Sequence, residues 1–120
     1  MPVIADQSVH GPTSALELAS GKYANGLCVK LARCGGLRCS RVVENIARAA
    51  QLSALVSCVI EPALLISAGL SLALSSPGVH YADLDGFFDL VDDPSIGGFT
   101  LEDGFLKATD VPGLGGNVEL

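Results

Sequence analysis

The chain has 120 residues, enough for one small domain, and 49% of them are hydrophobic, so a buried core is available. The net charge is −6, and the seven Lys and Arg residues are scattered along the chain. This composition excludes a basic surface that follows a phosphate backbone, so neither nucleic acid nor an anionic membrane is an expected partner.

The amino-terminal segment, residues 1–8, has neither a basic stretch nor a long apolar run, and therefore does not predict a signal peptide. The four cysteines form no C-x-x-C pair, and no histidine stands at metal-ligand spacing from them. We interpret them as reduced thiols that pack in the interior of a cytoplasmic protein. They are Cys28, Cys34, Cys39 and Cys58.

Four short runs rich in β-forming residues recur about every 25 residues, and we predict a strand at each of them. Segments with helical patterns separate these runs. The predicted strands cover residues 3–5, 27–29, 55–58 and 79–82.

Three helices are predicted between and after these strands. Thr13 is the expected cap of the first helix, which ends near Gly21. The second spans residues 37–50 and carries one apolar stripe, with Glu44 placed largely off that stripe. The third, residues 63–74, is apolar nearly all round and is therefore expected to be buried.

The most apolar part of the chain, residues 52–75, has the hydrophobicity of a membrane span. Glu61 and Pro62 divide it into two pieces, each shorter than the ~20 residues that a spanning helix needs. We therefore predict a strand followed by a buried helix, and no membrane partner.

The alternation of strands and helices predicts βα units and a parallel sheet. Ionisable residues follow each predicted strand: Asp6, Lys30, Glu61, and then Asp83 with Asp85. Because the carboxyl ends of parallel strands meet at one edge, where active sites of such folds are built, we expect one shared site there. Lys30 is accordingly predicted at the mouth of a barrel.

The last third of the chain has a different pattern. Residues 97–101 and 105–107 flank a glycine-containing turn, which predicts a β-hairpin followed by a loop-like tail. We divide the chain into a barrel part, residues 1–86, and a C-terminal appendage, residues 87–120, that packs on the barrel or on a capping domain.

At these strand ends the chain resembles the C-terminal half of enolase-superfamily barrels, in the muconate-lactonizing subgroup. It is most similar to the dipeptide epimerases of the L-Ala-D/L-Glu type. The resemblance covers essentially the whole chain, in the family's order. The motifs are IADQS (4–8), VKLARCGG (29–36), VSCVIEP (56–62), YADLDG (81–86) and PGLG (112–115).

The resemblance implies an α/β fold, a partial TIM-type (β/α) barrel with four parallel βα units that correspond to strands 5 to 8 of the family barrel. It implies an Mg²⁺-dependent racemase or epimerase that removes the proton α to a carboxylate, through an enediolate intermediate, with a dipeptide as the expected small-molecule substrate. A cycloisomerase or an acyl-amino-acid racemase of the same subgroup is the alternative.

The resemblance assigns the chemical roles to two residues. Lys30 resembles one of two lysine bases that face opposite sides of the substrate carbon, and burial at a barrel mouth favours its uncharged form. Asp6 resembles the third metal-ligating carboxylate, which suits a hard cation such as Mg²⁺. The alternative for Lys30 is a plain surface residue.

Four further residues resemble the family's substrate pocket. Asp83 and Asp85 correspond to the pair that holds the dipeptide's ammonium group, and Cys58 and Glu61 are expected to line the same mouth. The first pair has an alternative as a solvated turn, and Glu61 has an alternative as the cap of the next helix.

The chain also departs from the family. Gln7 replaces the Glu beside the metal ligand, and Ser57, Pro62 and Phe87 replace the usual Gly, Ser and Pro. The capping domain, the first half of the barrel, the second lysine and two metal ligands have no counterpart in these residues.

Because a full barrel takes ~250 residues, we expect this chain to act with a missing half-barrel. That half is supplied by a longer protein truncated at Met1, or by self-association, four strands plus four, as a homodimer. The chain is otherwise a non-catalytic fragment or interaction module, and we expect the isolated chain to be inactive alone.

Overall fold

The computed structural model describes residues 1–119 and contains a four-stranded, all-parallel sheet in sequential order. The predicted fold class, a partial (β/α) barrel, is confirmed. The sheet strands are β1 (Ile4–Ala5), β2 (Gly26–Lys30), β3 (Ser53–Ser57) and β4 (Val79–Asp83). The helices are α1 (Pro12–Gly21), α2 (Leu31–Cys34), α3 (Leu37–Ala49) and α4 (Ala63–Ser75).

The hydrophobic core lies between the sheet and its helices. Leu27 and Val29 of β2 and Val56 of β3 are fully buried there, packed with Ile66 of α4. Because side chains alternate along a strand, Cys28 and Lys30 point to the opposite face of the sheet. The helices therefore cover one face of the sheet, and the ionisable side chains of Cys28 and Lys30 lie on the other.

Two local predictions about the helices are wrong. Thr13 does not cap α1, which begins at Pro12 with Gly11 before it; instead the Ser14 hydroxyl accepts a hydrogen bond from the His10 N–H. Glu44 was expected off the buried stripe of α3, yet it is 2% exposed. The loop before β4 passes over it, so that a Cβ on Gly78 would lie 2.7 Å from Glu44 Oε1.

The C-terminal segment forms the predicted hairpin. Its turn residues, Asp103 and Gly104, have φ of 51° and 81°, as a tight hairpin turn requires. A 3₁₀ helix and a second antiparallel pair were not predicted. The segment contains the 3₁₀ helix (Gly86–Asp89), β5 (Ser95–Ile96), β6 (Phe99–Glu102), β7 (Phe105–Ala108) and β8 (Asn117–Val118), with β5 paired to β8 and β6 to β7.

Helix α4 is apolar, and the C-terminal segment binds its first turn. Among the helices of residues 1–119, α4 included, none reaches the length and hydropathy needed to cross a bilayer. The N–H of Ala63 donates to Asp93 Oδ2 at 2.7 Å, and the N–H of Leu64 donates to Ser95 Oγ at 3.1 Å. Residues about thirty positions later along the chain therefore satisfy backbone donors that a helix leaves unpaired at its start.

We predict that Asp93→Ala lowers the midpoint temperature of unfolding at neutral pH. Asp93→Asn still accepts the Ala63 hydrogen bond, so we expect it to retain most of the stability of the parent. That hydrogen bond holds the pKa of the Asp93 carboxyl below its usual 3.8. The carboxylate therefore stabilises the fold above the unfolded-state pKa, and this contribution is lost as pH falls through the lowered value. Thermal unfolding followed by circular dichroism at neutral and acid pH tests this prediction, with the exposed Asp110→Ala as the control. If Asp93→Ala still lowers the midpoint temperature by the same amount in acid, the prediction is wrong.

Candidate functional site

The candidate site lies at the carboxyl ends of the four parallel strands, which we call the mouth. Asp6 follows β1, Lys30 ends β2, Ser57 ends β3 and Asp83 ends β4. The register pairs Lys30 with Ser57 and Ser57 with Asp83, so these three side chains leave the sheet on the same face. The structure thus brings residues distant in sequence to one edge.

Lys30 and Asp6 form an ion pair at the mouth. The Lys30 Nζ lies 3.1 Å from Asp6 Oδ1 and donates a hydrogen bond to Oδ2 at 3.2 Å. The Lys30 side chain is only 12% exposed, against 44% for Asp6, so Lys30 is not a plain surface residue. Burial acts to raise the pKa of Asp6, but its contacts with Lys30, the Cys28 thiol and Arg33 outweigh this and hold the pKa below the usual value.

The thiol of Cys28 lies beneath this pair, on the same face of β2 as Lys30. Burial and then the nearby Asp6 carboxylate raise the pKa of Cys28 to about 12, so the thiol stays neutral at physiological pH. It interacts with the side chains of both Asp6 and Ser57. Cys28 was not among the candidate site residues; its position two residues before Lys30 on one strand was the available signal.

Gln7 stands next to Asp6, where the family that the chain resembles has Glu. Its amide Nε2 donates to Asp6 Oδ2 at 3.3 Å, a hydrogen bond that a carboxylate cannot give. Arg33 donates to the Gln7 Oε1 and, at 3.4 Å, to its backbone carbonyl. The substitution therefore removes one negative charge next to Asp6 but adds a donor that orients its carboxylate.

Glu61 is buried, with 3% of its surface exposed. Its Oε2 accepts a hydrogen bond from the Val59 N–H at 3.4 Å, and it does not cap α4, whose first donors bind Asp93 and Ser95. The capping alternative is therefore wrong. Burial raises the pKa of Glu61, opposed by the Val59 N–H and by the charge of Lys30.

We predict that Glu61→Gln changes how stability depends on pH. A raised folded-state pKa means that the native chain binds the Glu61 proton more tightly, so stability falls as pH rises from the unfolded-state value of 4.5 through the raised value. The Gln variant lacks this fall and is therefore expected to be more stable than the parent at neutral pH. Urea unfolding between pH 4 and 8 measures it; the exposed Glu17→Gln is the control, and parallel pH profiles for Glu61→Gln and the parent contradict the prediction.

Asp83 and Asp85 lie at the end of β4 and just beyond it, and both are exposed. The Ser57 hydroxyl donates to Asp83 Oδ2 at 3.2 Å, and the Cys58 thiol lies 3.8 Å from Asp85 Oδ1. The ion pairs in residues 1–119 include neither carboxylate. Two carboxylates anchored by neutral side chains leave their charge available to a cation from solution.

Cys58 links β3 to the segment after β4. Its sulfur accepts a hydrogen bond from the Gly86 N–H at 3.2 Å. Burial raises the pKa of the Cys58 thiol, against the effect of that N–H donor. Like the other three cysteines, it is a free thiol, and its contacts position the backbone that carries Asp85.

One carboxylate oxygen at the mouth fits a hard cation. Asp6 Oδ1 is a buried atom that accepts no hydrogen bond from the described part of the chain, although the Lys30 charge is near, so it keeps a lone pair for a ligand. Within residues 1–119 no three His, Cys, Asp or Glu side chains come together as a metal cluster. The described residues thus fit one ligand position of an Mg²⁺ site and leave the others to groups outside them.

Comparisons with known proteins show the family of the chain. Residues 1–119 match the family described as Enolase C-terminal domain-like. The chain is 44% identical over 114 residues to the L-Lys-D/L-Arg epimerase of Methylococcus capsulatus, and 30% identical over 114 residues to the L-Ala-D/L-Glu epimerase of Bacillus subtilis. These alignments include 94% and 95% of this chain but 32% and 31% of the two relatives.

The solved structures give the same result. The Methylococcus capsulatus dipeptide epimerase, complexed with Mg and the dipeptide L-Arg-D-Lys, superposes with a TM-score of 0.89 at 42% identity. The match covers 94% of this chain and 32% of that one. The chain therefore spans about a third of the length of these relatives.

Proposed function

Because this chain belongs to the Enolase C-terminal domain-like family, we propose that it forms the C-terminal half-barrel of an Mg²⁺-dependent epimerase that acts on a dipeptide. The Lys30–Asp6 pair at the mouth, 3.1 Å apart and largely enclosed on the lysine side, is the observation that carries the proposal. In this proposal Lys30 is the base and Asp6 is a metal ligand.

In this proposal Lys30, once uncharged, accepts the proton from the substrate carbon α to the carboxylate. Its short contact with Asp6 and its low exposure hold the amine toward the mouth and keep bulk water away from it. Asp83 and Asp85 bind the ammonium group of the dipeptide, because both carboxylates are exposed and are held by Ser57 and Cys58. Cys58 and Glu61 shape the same pocket.

Asp6 would hold Mg²⁺ through Oδ1, which accepts no hydrogen bond within the described residues, together with ligands from outside them. Bound there, Mg²⁺ would supply positive charge that stabilises the substrate's carboxylate as the proton leaves. Gln7 keeps the Asp6 carboxylate oriented, through the hydrogen bond to Oδ2.

A cycloisomerase is the second candidate function. The chain is 37% identical over 81 residues to muconate cycloisomerase 1 of Rhodococcus opacus. The exposed Asp83 and Asp85 favour a cationic group on the substrate, and so favour a dipeptide over muconate, which carries none. The same pair also disfavours an acyl-amino-acid racemase, because acylation removes the charge of the amino group.

We further propose that the barrel part ends at residue 86 and that residues 87–119 form an appendage attached to α4. The hydrogen bonds of Asp93 and Ser95 to α4 support that attachment. The four free thiols support a cytoplasmic location. A further half-barrel, from a longer protein or from a second copy, is the required partner.

A hybrid enzyme tests the proposal. Residues 1–119 replace the matching third of the L-Lys-D/L-Arg epimerase of Methylococcus capsulatus, and the hybrid is incubated with Mg²⁺ and dipeptides in deuterated water. We expect deuterium at the α carbon and inversion of its configuration. A folded hybrid that exchanges no α-hydrogen in any dipeptide rejects the proposal and favours a non-catalytic module, whereas turnover of muconate instead supports the cycloisomerase.

A further inference from the structure

Helices α3 and α4 leave a groove of about 590 Å³ between them, which we call the α3–α4 groove. The buried Leu72 of α4 lines it, together with Leu37 and Val42 of α3, whose side chains are partly exposed. Sites for small molecules usually have ~300–1,000 Å³ and an apolar lining with a few polar groups. The α3–α4 groove has the size and the apolar lining of such a site.

Two arginines supply positive charge to the α3–α4 groove. Arg38 and Arg41 both line it, and because they are three residues apart they lie on the same side of α3. The ion pairs in residues 1–119 include neither guanidinium, although the chain carries 13 Asp and Glu residues. Both charges are therefore available to an anion from solution.

Arg41 is already held in place by α4. Its Nη1 donates hydrogen bonds to Ser75 Oγ and Ser76 Oγ, both at 3.0 Å, and the Ser75 hydroxyl donates in turn to the Leu72 carbonyl. A guanidinium has five N–H donors, and the hydrogen bonds of Arg41 within residues 1–119 use Nη1 alone. The donors on Nε and Nη2 can therefore meet a ligand with little further loss of side-chain entropy.

We propose that the α3–α4 groove binds a small carboxylate that has an apolar body. Arg41 binds the carboxylate through Nε and Nη2, the two-point geometry that guanidinium and carboxylate groups favour, and Arg38 adds its charge. The apolar body contacts Leu37, Val42 and Leu72. An inorganic anion would leave this apolar lining exposed to water, and an uncharged apolar molecule would leave both arginines unpaired. This site uses none of the residues at the mouth.

Isothermal titration calorimetry with octanoate tests the proposal, because octanoate joins one carboxylate to an apolar chain. We expect saturable binding to the 120-residue chain and a loss of about 10-fold or more in affinity in Arg41→Gln, as for a lost hydrogen bond between charged groups. Arg48→Gln is the matched control, since Arg48 lies on the same helix, is 56% exposed and does not line the groove. We expect it to bind octanoate like the parent.

Val42→Glu is a second variant, which keeps a good helix former at an exposed position and gives the two arginines a carboxylate of the chain itself. We expect it to remain folded by circular dichroism and to bind octanoate at least about 10-fold more weakly. Octanol and octylammonium, which lack the carboxylate, are expected to show the same loss with the parent chain.

Three results overturn the proposal: no binding of octanoate, equal binding of octanol, or parent-like binding by Arg41→Gln and Val42→Glu. A peptide of Glu and Leu that binds when octanoate does not also overturns it, in favour of an acidic protein segment. The same titrations on the hybrid enzyme keep both helices in a complete barrel and decide if the isolated chain is not folded. They do not depend on activity, so this site and the proposed function can fail separately.

Discussion

Lys30→Ala in the hybrid enzyme is expected to reduce α-hydrogen exchange about 10²–10⁴-fold, the usual contribution of one general base. Lys30, once uncharged, is the proton acceptor of the proposed reaction, and its Nζ lies 3.1 Å from the Asp6 carboxylate. Its removal also takes away the positive charge paired with the Asp6 carboxylate and leaves the more distant Arg33. Both effects act on the reaction step, so we expect kcat to fall more than KM rises.

The control for this variant is Lys107→Ala. Lys107 pairs with Glu102 on the exposed hairpin, away from the mouth, and its side chain is 59% exposed. We expect exchange in this variant to match the parent hybrid. If Lys30→Ala and Lys107→Ala are equally active, with unchanged circular dichroism spectra and Mg²⁺ binding, Lys30 takes no part in the proton transfer.

Gly86→Ala is expected to destabilise the fold by about 3 kcal/mol, because the added methyl group has no space. Its Cβ would lie 2.0 Å from the backbone oxygen of Val59 and 3.1 Å from the sulfur of Cys58. The segment after β4 would have to move away from β3, and the Gly86 N–H would lose its bond to that sulfur. Since Asp85 precedes this glycine, we also expect weaker dipeptide binding in the hybrid.

Gly21→Ala is a matched control: its added Cβ would lie about equally close to a neighbouring atom, but that atom belongs to a side chain and not to the backbone. There the Cβ would lie 2.1 Å from the ring of Tyr23, which is 77% exposed and free to rotate away. We expect this variant to be as stable as the parent or slightly more so, because alanine suits a helix better than glycine. Urea unfolding measures the free energy of unfolding of both variants. If the two lose similar amounts, the rigid backbone of Val59 is not the cause of the destabilisation by Gly86→Ala.

The strand-end residues were predictable from local patterns. Asp6, Lys30 and Asp83 each follow a short apolar run, and such runs separated by helical segments predict parallel strands whose carboxyl ends share an edge. The register that pairs Lys30 with Ser57 and Ser57 with Asp83 agrees with that expectation. Periodicity is a property of neighbours in sequence, so it can be assigned without the rest of the fold.

The role of Glu61 depended on contacts that no local pattern contains. Its place before α4 suggested a helix cap, but Asp93 and Ser95 approach from the C-terminal segment and take that role. The same holds for Glu44, which a loop before β4 buries. In both cases a distant segment decides the environment of a carboxylate, and its position follows from the packing of the whole chain.

The amino-acid sequence by itself determined the order of strands and helices, the parallel sheet and the residues delivered to its carboxyl edge, because these follow from side-chain periodicity along the chain. Only the tertiary structure decided which of those residues meet. It paired Lys30 with Asp6, placed Cys28 beneath them, and paired the first backbone donors of α4 with Asp93 and Ser95 and not with Glu61. Distances between residues far apart in sequence depend on how the elements pack, and the free energy of packing is shared over the whole core.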